Sequence, residues 1–174
     1  FAPDEIYNYV LGLYQLSKYK ELQTELDISL EKYPQDIRLL SISGIYYFKS
    51  NNFNKSIISY EQALEIDPFF TDALNNLGVA LKTIGEYDRA IEQYKKVLAI
   101  KPTDADAHNN IGNVYLKKGN FESAAIWFKK AVGLNSIYPE AFNNLGLAYK
   151  GINNLKAAIT NFQNALKIHL FEFP

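Results

Sequence analysis

The sequence contains no cysteine and no methionine, two histidines, one tryptophan and almost no net charge. Each scarcity excludes something. Without cysteine there is no disulfide, no thiol nucleophile and no thiolate metal site, while the redox compartment stays open. His108 and His169 are too few for a histidine-rich metal cluster. A net charge of −1 over 174 residues argues against the broad positive footprint that nucleic acid or an anionic membrane requires. No apolar run reaches the roughly 18 residues of a membrane-crossing helix, so no membrane insertion is expected. There is no glycine-rich phosphate loop, no nucleophile elbow and no HExxH pair. We therefore expect no catalytic residues, no metal and no cofactor. The chain starts at Phe1 rather than methionine, which suggests a fragment or a processed product.

Apolar bulk is plentiful: 48% of residues are hydrophobic, with 13 tyrosines and 11 phenylalanines. Its arrangement is periodic. Gly44, Gly78, Gly112 and Gly146 stand 34 residues apart. At the same step run Tyr60, Tyr94, Phe128 and Phe162, then Ser56, Ala90, Ala124 and Ala158, then Phe53, Tyr87, Phe121 and Leu155. Pro34, Pro68 and Pro102 close successive units, with Ser136 and Leu170 at the last two such places. Five units follow without insertion, 3–36, 37–70, 71–104, 105–138 and 139–172, as one array over 1–174.

Within a unit the apolar spacing is helical. Leu74, Leu77 and Leu81 mark one face of a first helix; Ala90, Ile91, Tyr94, Val97 and Leu98 mark a second. Asn51, Gly85, Gly119 and Asn153 sit between the helices, and these residue types tolerate the left-handed conformation that ends a helix. The recurring glycine has no side chain, so the second helix can approach closely there. Such a hairpin buries its apolar face only by stacking on its neighbours.

The columns Leu77-Gly78, Leu81, Ala90, Tyr94 and Pro102, repeated as Ile111-Gly112, Tyr115, Ala124, Phe128 and Ala131, resemble the tetratricopeptide repeat family. The resemblance implies an all-α, right-handed superhelical solenoid of about five helix-turn-helix repeats that binds protein or peptide. The first unit diverges most, with Val10 at the glycine position and Leu22 at the small one.

In that family the first helices line a concave groove where ligand peptides lie. Carried over, the stripe holds Asp72, Asn75, Asn76, Val79 and Lys82; then Asp106, Asn109, Asn110, Asn113 and Lys117; then Glu140, Asn143, Asn144, Leu147 and Lys150. A carboxamide pairs a donor with an acceptor, as a peptide backbone does. The N-N-L-G form resembles in particular the repeats of O-linked N-acetylglucosamine transferases, in which an asparagine ladder holds a polypeptide by its backbone. The matching positions are Asn76, Asn110 and Asn144. The alternative assignment has the asparagines bonding within the scaffold. Further toward the N-terminus the stripe is apolar, with Tyr7, Leu11 and Tyr14, then Ile45 and Phe48, a surface expected to bury a partner. Asp72, Asp106 and Glu140 read as helix-dipole and capping carboxylates. His108 reads as a half-buried packing residue, and Trp127 as exposed on the outer face of a second helix. Asn54-Lys55-Ser56 matches a glycosylation acceptor, which we discount.

The leading functional expectation is a non-catalytic interaction scaffold. The alternatives are the recognition arm of a larger glycosyltransferase- or sulfotransferase-like enzyme, and self-assembly through the aromatic end.

Overall fold

The structure, a computed structural model, describes residues 3–172. Its elements, among the described residues, are ten α-helices in hairpin order: α1 (Pro3–Gln15), α2 (Tyr19–Lys32), α3 (Ile37–Lys49), α4 (Phe53–Ile66), α5 (Thr71–Thr83), α6 (Tyr87–Ile100), α7 (Ala105–Lys117), α8 (Phe121–Leu134), α9 (Pro139–Gly151) and α10 (Leu155–Glu172). The chain divides into two compact units, 1–86 and 87–174. The division falls in the turn between α5 and α6.

The hairpin turns follow from backbone chemistry. Gly85 and Gly119 have φ of 85° and 72°, and Asn51 and Asn153 have 58° and 62°. All four occupy the left-handed region that glycine enters freely and asparagine tolerates. Ser17 takes the corresponding place in the first hairpin with φ 57°, a conformation serine seldom adopts. Helix starts are fixed by side chains accepting from orphan backbone N–H groups. Asp36 accepts from Arg38 N and Leu39 N, Asp104 from Ala107 N, Asn52 from Lys55 N and Asn120 from Ser123 N.

The two helices of a hairpin meet at the recurring glycine. A Cβ built on Gly44 would fall 2.5 Å from the Tyr60 ring; on Gly112, 2.6 Å from Phe128; on Gly146, 2.5 Å from Phe162. Tyr60 and Phe128 are essentially fully buried. Beside the first contact, Ser56 donates its hydroxyl to Gly44 O at 2.8 Å, so the small-residue column also carries a hydrogen bond. The serine of the apparent glycosylation triplet is thus a core residue.

In the first unit the core joins α1, α2 and α3 through Val10, Leu13, Leu22, Leu26, Leu39 and Ile42. In the second, α8 and α9 share Ala125, Phe128, Leu145 and Ala148. At about 25 cal/mol per Å² of apolar surface, these repeat-to-repeat contacts are what makes each marginal hairpin stable.

Candidate functional site

The residues singled out by the sequence lie on the first helix of each hairpin. On α7, Asp106, Asn109 or Asn110, Asn113 and Lys117 recur every three or four residues and so share one side of the helix. On α9 the same holds for Glu140, Asn143 or Asn144, Leu147 and Lys150. α7 and α9 touch each other, so the two stripes adjoin.

Their members differ in state. Asn109 is 2% exposed and Asn144 is 9% exposed. Asn144 donates from Nδ2 to Asn109 Oδ1 at 3.2 Å. Asn109 in turn directs Nδ2 at Tyr138 Oη, 3.3 Å, and at Glu140 Oε1, 3.4 Å. These two carboxamides therefore bind repeat to repeat. Burial, then the neighbouring Asp106 carboxylate, raises the Tyr138 hydroxyl well above the ordinary phenol range and keeps it protonated. Asn143 and Lys117 are exposed, and Asn110 and Asn113 are half-buried. In the first unit Asn75 and Asn76 are half-buried, as is Lys82. The Oδ1 atom of Asn75 is buried without a hydrogen-bond partner among the described residues.

Asp72, Asp106 and Glu140 lie in the first turns of α5, α7 and α9, where their charge complements the helix dipole. They do not cap. Asp104 caps α7, and the residues preceding α5 and α9, Phe70 and Tyr138, offer no side-chain cap bond.

The aromatic strip of the first unit is partly roofed by cations. The Arg38 guanidinium lies 4.7 Å from the Tyr7 ring centroid, and Lys49 Nζ lies 4.8 Å from that of Tyr14. Arg38 is itself held by Asp36 at 2.8 Å and Asp4 at 2.7 Å. Tyr7, Leu11 and Tyr14 also pack on the first core, and Phe48 meets Phe53 edge-on at 5.4 Å. Ile45 is half-buried.

Trp127 corrects the expectation of an exposed outer residue. It is half-buried, its ring 5.4 Å from that of His108, with Lys130 Nζ 4.5 Å away on its face. The equivalent Ser59 and Gln93 are buried as well. Ser59 bonds to Ser43 at 3.1 Å, so a polar residue at this position does not imply exposure. His108 is a packing residue: it is 8% exposed and its Nε2 donates to Pro102 O at 3.1 Å. A carbonyl can only accept, which fixes the proton on Nε2 and leaves Nδ1 buried without a partner among the described residues.

Among the described residues, no group of three or more His, Asp or Glu is placed to hold a metal ion, and no helix is long and apolar enough to cross a membrane. What the arrangement offers is a rigid polar face of amides edged by carboxylates and lysines. The class so defined is a helical-hairpin repeat scaffold for protein interaction. Models of the TPR repeat match residues 44–85, 83–119 and 112–153, and a model of the tetratricopeptide repeat matches 139–168. The chain belongs to the tetratricopeptide repeat family.

Among solved structures, a crystal structure of MamA is 23% identical with a TM-score of 0.84, covering 92% of this chain and 94% of that one. MamA residues 41 to the end from Desulfovibrio magneticus RS-1 is 19% identical with a TM-score of 0.89, covering 100% and 99%. At such identities the likeness is one of fold. Comparison with curated proteins gives no match.

Proposed function

We propose that this chain is a non-catalytic scaffold that holds an extended peptide or partner helix against the first-helix faces of its repeats. The carrying observation is the α7–α9 surface, where exposed Asn143 and half-buried Asn110 and Asn113 adjoin on a floor braced by the Asn109–Asn144 bond. Because Asn109 and Asn144 hold one another, the surrounding amides sit on a face that needs little reordering to bind. Asn75 and Asn76 with Lys82 on α5 offer the same chemistry in the first unit, and Lys117 supplies a cation at the far end of the α7 stripe. Tyr7, Leu11, Tyr14, Ile45 and Phe48 add an apolar contact for a partner side chain.

Each amide-to-backbone hydrogen bond nets about 0.5–1.5 kcal/mol. Five of them, one for each asparagine outside the Asn109–Asn144 pair, sum to about 2.5–7.5 kcal/mol, which approaches micromolar affinity at its upper end, with little dependence on ligand side chains. A peptide array probed with the purified chain tests this. Extended peptides of varied sequence are expected to bind in the micromolar range. Absence of binding to any extended peptide overturns the reading.

A further inference from the structure

The α7–α9 surface carries its charge along two opposite borders. Asp106 and Glu140 stand near the start of their helices, Lys117 and Lys150 near the end, and all four are exposed. The two helices run side by side in the same direction. At one end Asn109 reaches Glu140 at 3.4 Å; at the other Leu116 and Ile152 pack against one core cluster. The carboxylates therefore form one row and the ammonium groups a second, about 15–17 Å away at 1.5 Å of rise per residue. Between the rows lie Asn110, Asn113, Asn143 and Leu147.

Neither row is neutralised from within. Elsewhere in the same unit Lys118 meets Asp88 at 2.7 Å and Lys96 meets Glu92 at 3.8 Å. Among the described residues, Lys117 and Lys150 meet no carboxylate, and Asp106 and Glu140 meet no cation. The carboxylates bond to neutral groups instead: Glu140 accepts from Asn109, and Asp106 lies beside the Tyr138 hydroxyl. The helix dipole favours acid at a helix start but does not demand it, since Arg38 occupies the Asp106 position two periods earlier, in the first turn of α3.

Each row runs across the helix axes. A chain lying across α7 and α9 would meet both charges of a row with residues on one side of its backbone. In an extended chain alternate side chains point to opposite sides, and same-side neighbours are about 6.6 Å apart. Packed helices are about 8–10 Å apart, a difference that long charged side chains absorb. A chain lying along the helices would meet each row only with one end.

We propose that the partner segment held on this surface is extended and two-sided in charge: basic residues at alternate positions face Asp106 and Glu140, and acidic residues between them face Lys117 and Lys150. The proposal rests on the peptide-binding reading above and adds the charge pattern of the ligand to it. The amides hold the backbone of any extended chain, and the charged rows rank one chain over another.

Fluorescence anisotropy with three labelled octapeptides is the test. One alternates lysine and glutamate, one has the same residues as a lysine block followed by a glutamate block, and one alternates serine and threonine. The first two share composition and net charge, and all three are too short to hold a helix in water. Ion pairs to both rows predict about tenfold tighter binding of the alternating charged peptide than of either other one, a difference that shrinks as salt is raised. Lys117→Glu combined with Lys150→Glu replaces exposed side chains that make no ion pair among the described residues, so circular dichroism should be unchanged. This double variant should bind the neutral peptide like wild type and lose the advantage of the alternating charged one. The proposal is overturned, with the peptide-binding reading left standing, if the neutral or the blocked peptide binds as tightly as the alternating charged one, or if the double variant keeps the advantage. Failure of all three peptides to bind overturns both.

Discussion

Replacing Gly112 by alanine probes the contact that closes each hairpin. The new Cβ falls 2.6 Å from the Phe128 ring, and that ring is buried with no exposed surface. No real Cβ contact is that short, so ring or helix must move. Overpacking of a filled core costs about 1–3 kcal/mol. Against this, alanine in a helix interior is favoured over glycine by about 1 kcal/mol. The net effect is a loss of up to about 2 kcal/mol. Gly133 provides the internal control: it lies in α8, is exposed, and a Cβ there meets nothing within 4 Å. Gly133→Ala should gain up to about 1 kcal/mol, because only the propensity term acts. Subtracting one variant from the other cancels propensity and leaves the steric term, about 1–3 kcal/mol. Denaturant unfolding followed by circular dichroism measures both. For a chain of this size each kcal/mol corresponds to a Tm change of about 2–4 °C. Equal stabilisation by the two substitutions would refute the close-approach argument.

Ser17→Gly relieves a left-handed strain of about 1–2 kcal/mol at the cost of about 0.4–1 kcal/mol of unfolded-chain entropy, so it should raise the midpoint modestly. An unchanged or lower midpoint would show that the first turn is not strained. Asn109→Ala strips Asn144 of its acceptor and Tyr138 of a neighbour, and should destabilise by about 1–3 kcal/mol. Asn143→Ala, on the exposed side, should stay within about 0.5 kcal/mol of wild type. At high pH the buried hydroxyls of Tyr60, Tyr94 and Tyr138, all raised chiefly by burial, stay protonated in the folded chain. Their unfolded counterparts ionise near pH 10, so stability is fully present below about pH 10 and falls as the pH rises beyond it. A share of the tyrosinate absorbance, that of about three of the 13 tyrosines, should appear only on unfolding; a smooth rise for all tyrosines near pH 10 in the folded chain would contradict it.

Much of this fold is legible in the sequence because its cause repeats. A glycine opposite an aromatic every 34 residues announces helix-helix contact, and Asn51, Gly85, Gly119 and Asn153 announce the turns. Ser17 escapes notice because serine carries no left-handed signature of its own. The site is less legible. Asn109 and Asn110 are chemically identical neighbours, yet one is buried in the seam toward α9 and the other half-exposed. Helical spacing turns the two about 100° apart, and either one completes the stripe of Asp106, Asn113 and Lys117, so spacing does not say which faces the seam and which the surface. Trp127 lies deeper than its position suggests: Glu25, Ser59, Gln93 and Asn161 are polar there, whereas small local hydrogen bonds satisfy such groups inside the hairpin. The cations over Tyr7 and Tyr14 come from Arg38 and Lys49 on α3, and pairing them with their rings requires the α1–α3 packing.

The central claim is that the amides of the first helices hold a partner chain. Calorimetric titration of the strongest peptide from the array into wild type and into an Asn76→Ala, Asn110→Ala, Asn143→Ala triple variant tests it directly. Three lost hydrogen bonds at about 0.5–1.5 kcal/mol each predict affinity reduced by about ten- to a thousandfold, with the helical signal intact. A folded triple variant that binds the peptide as tightly as wild type would contradict the account.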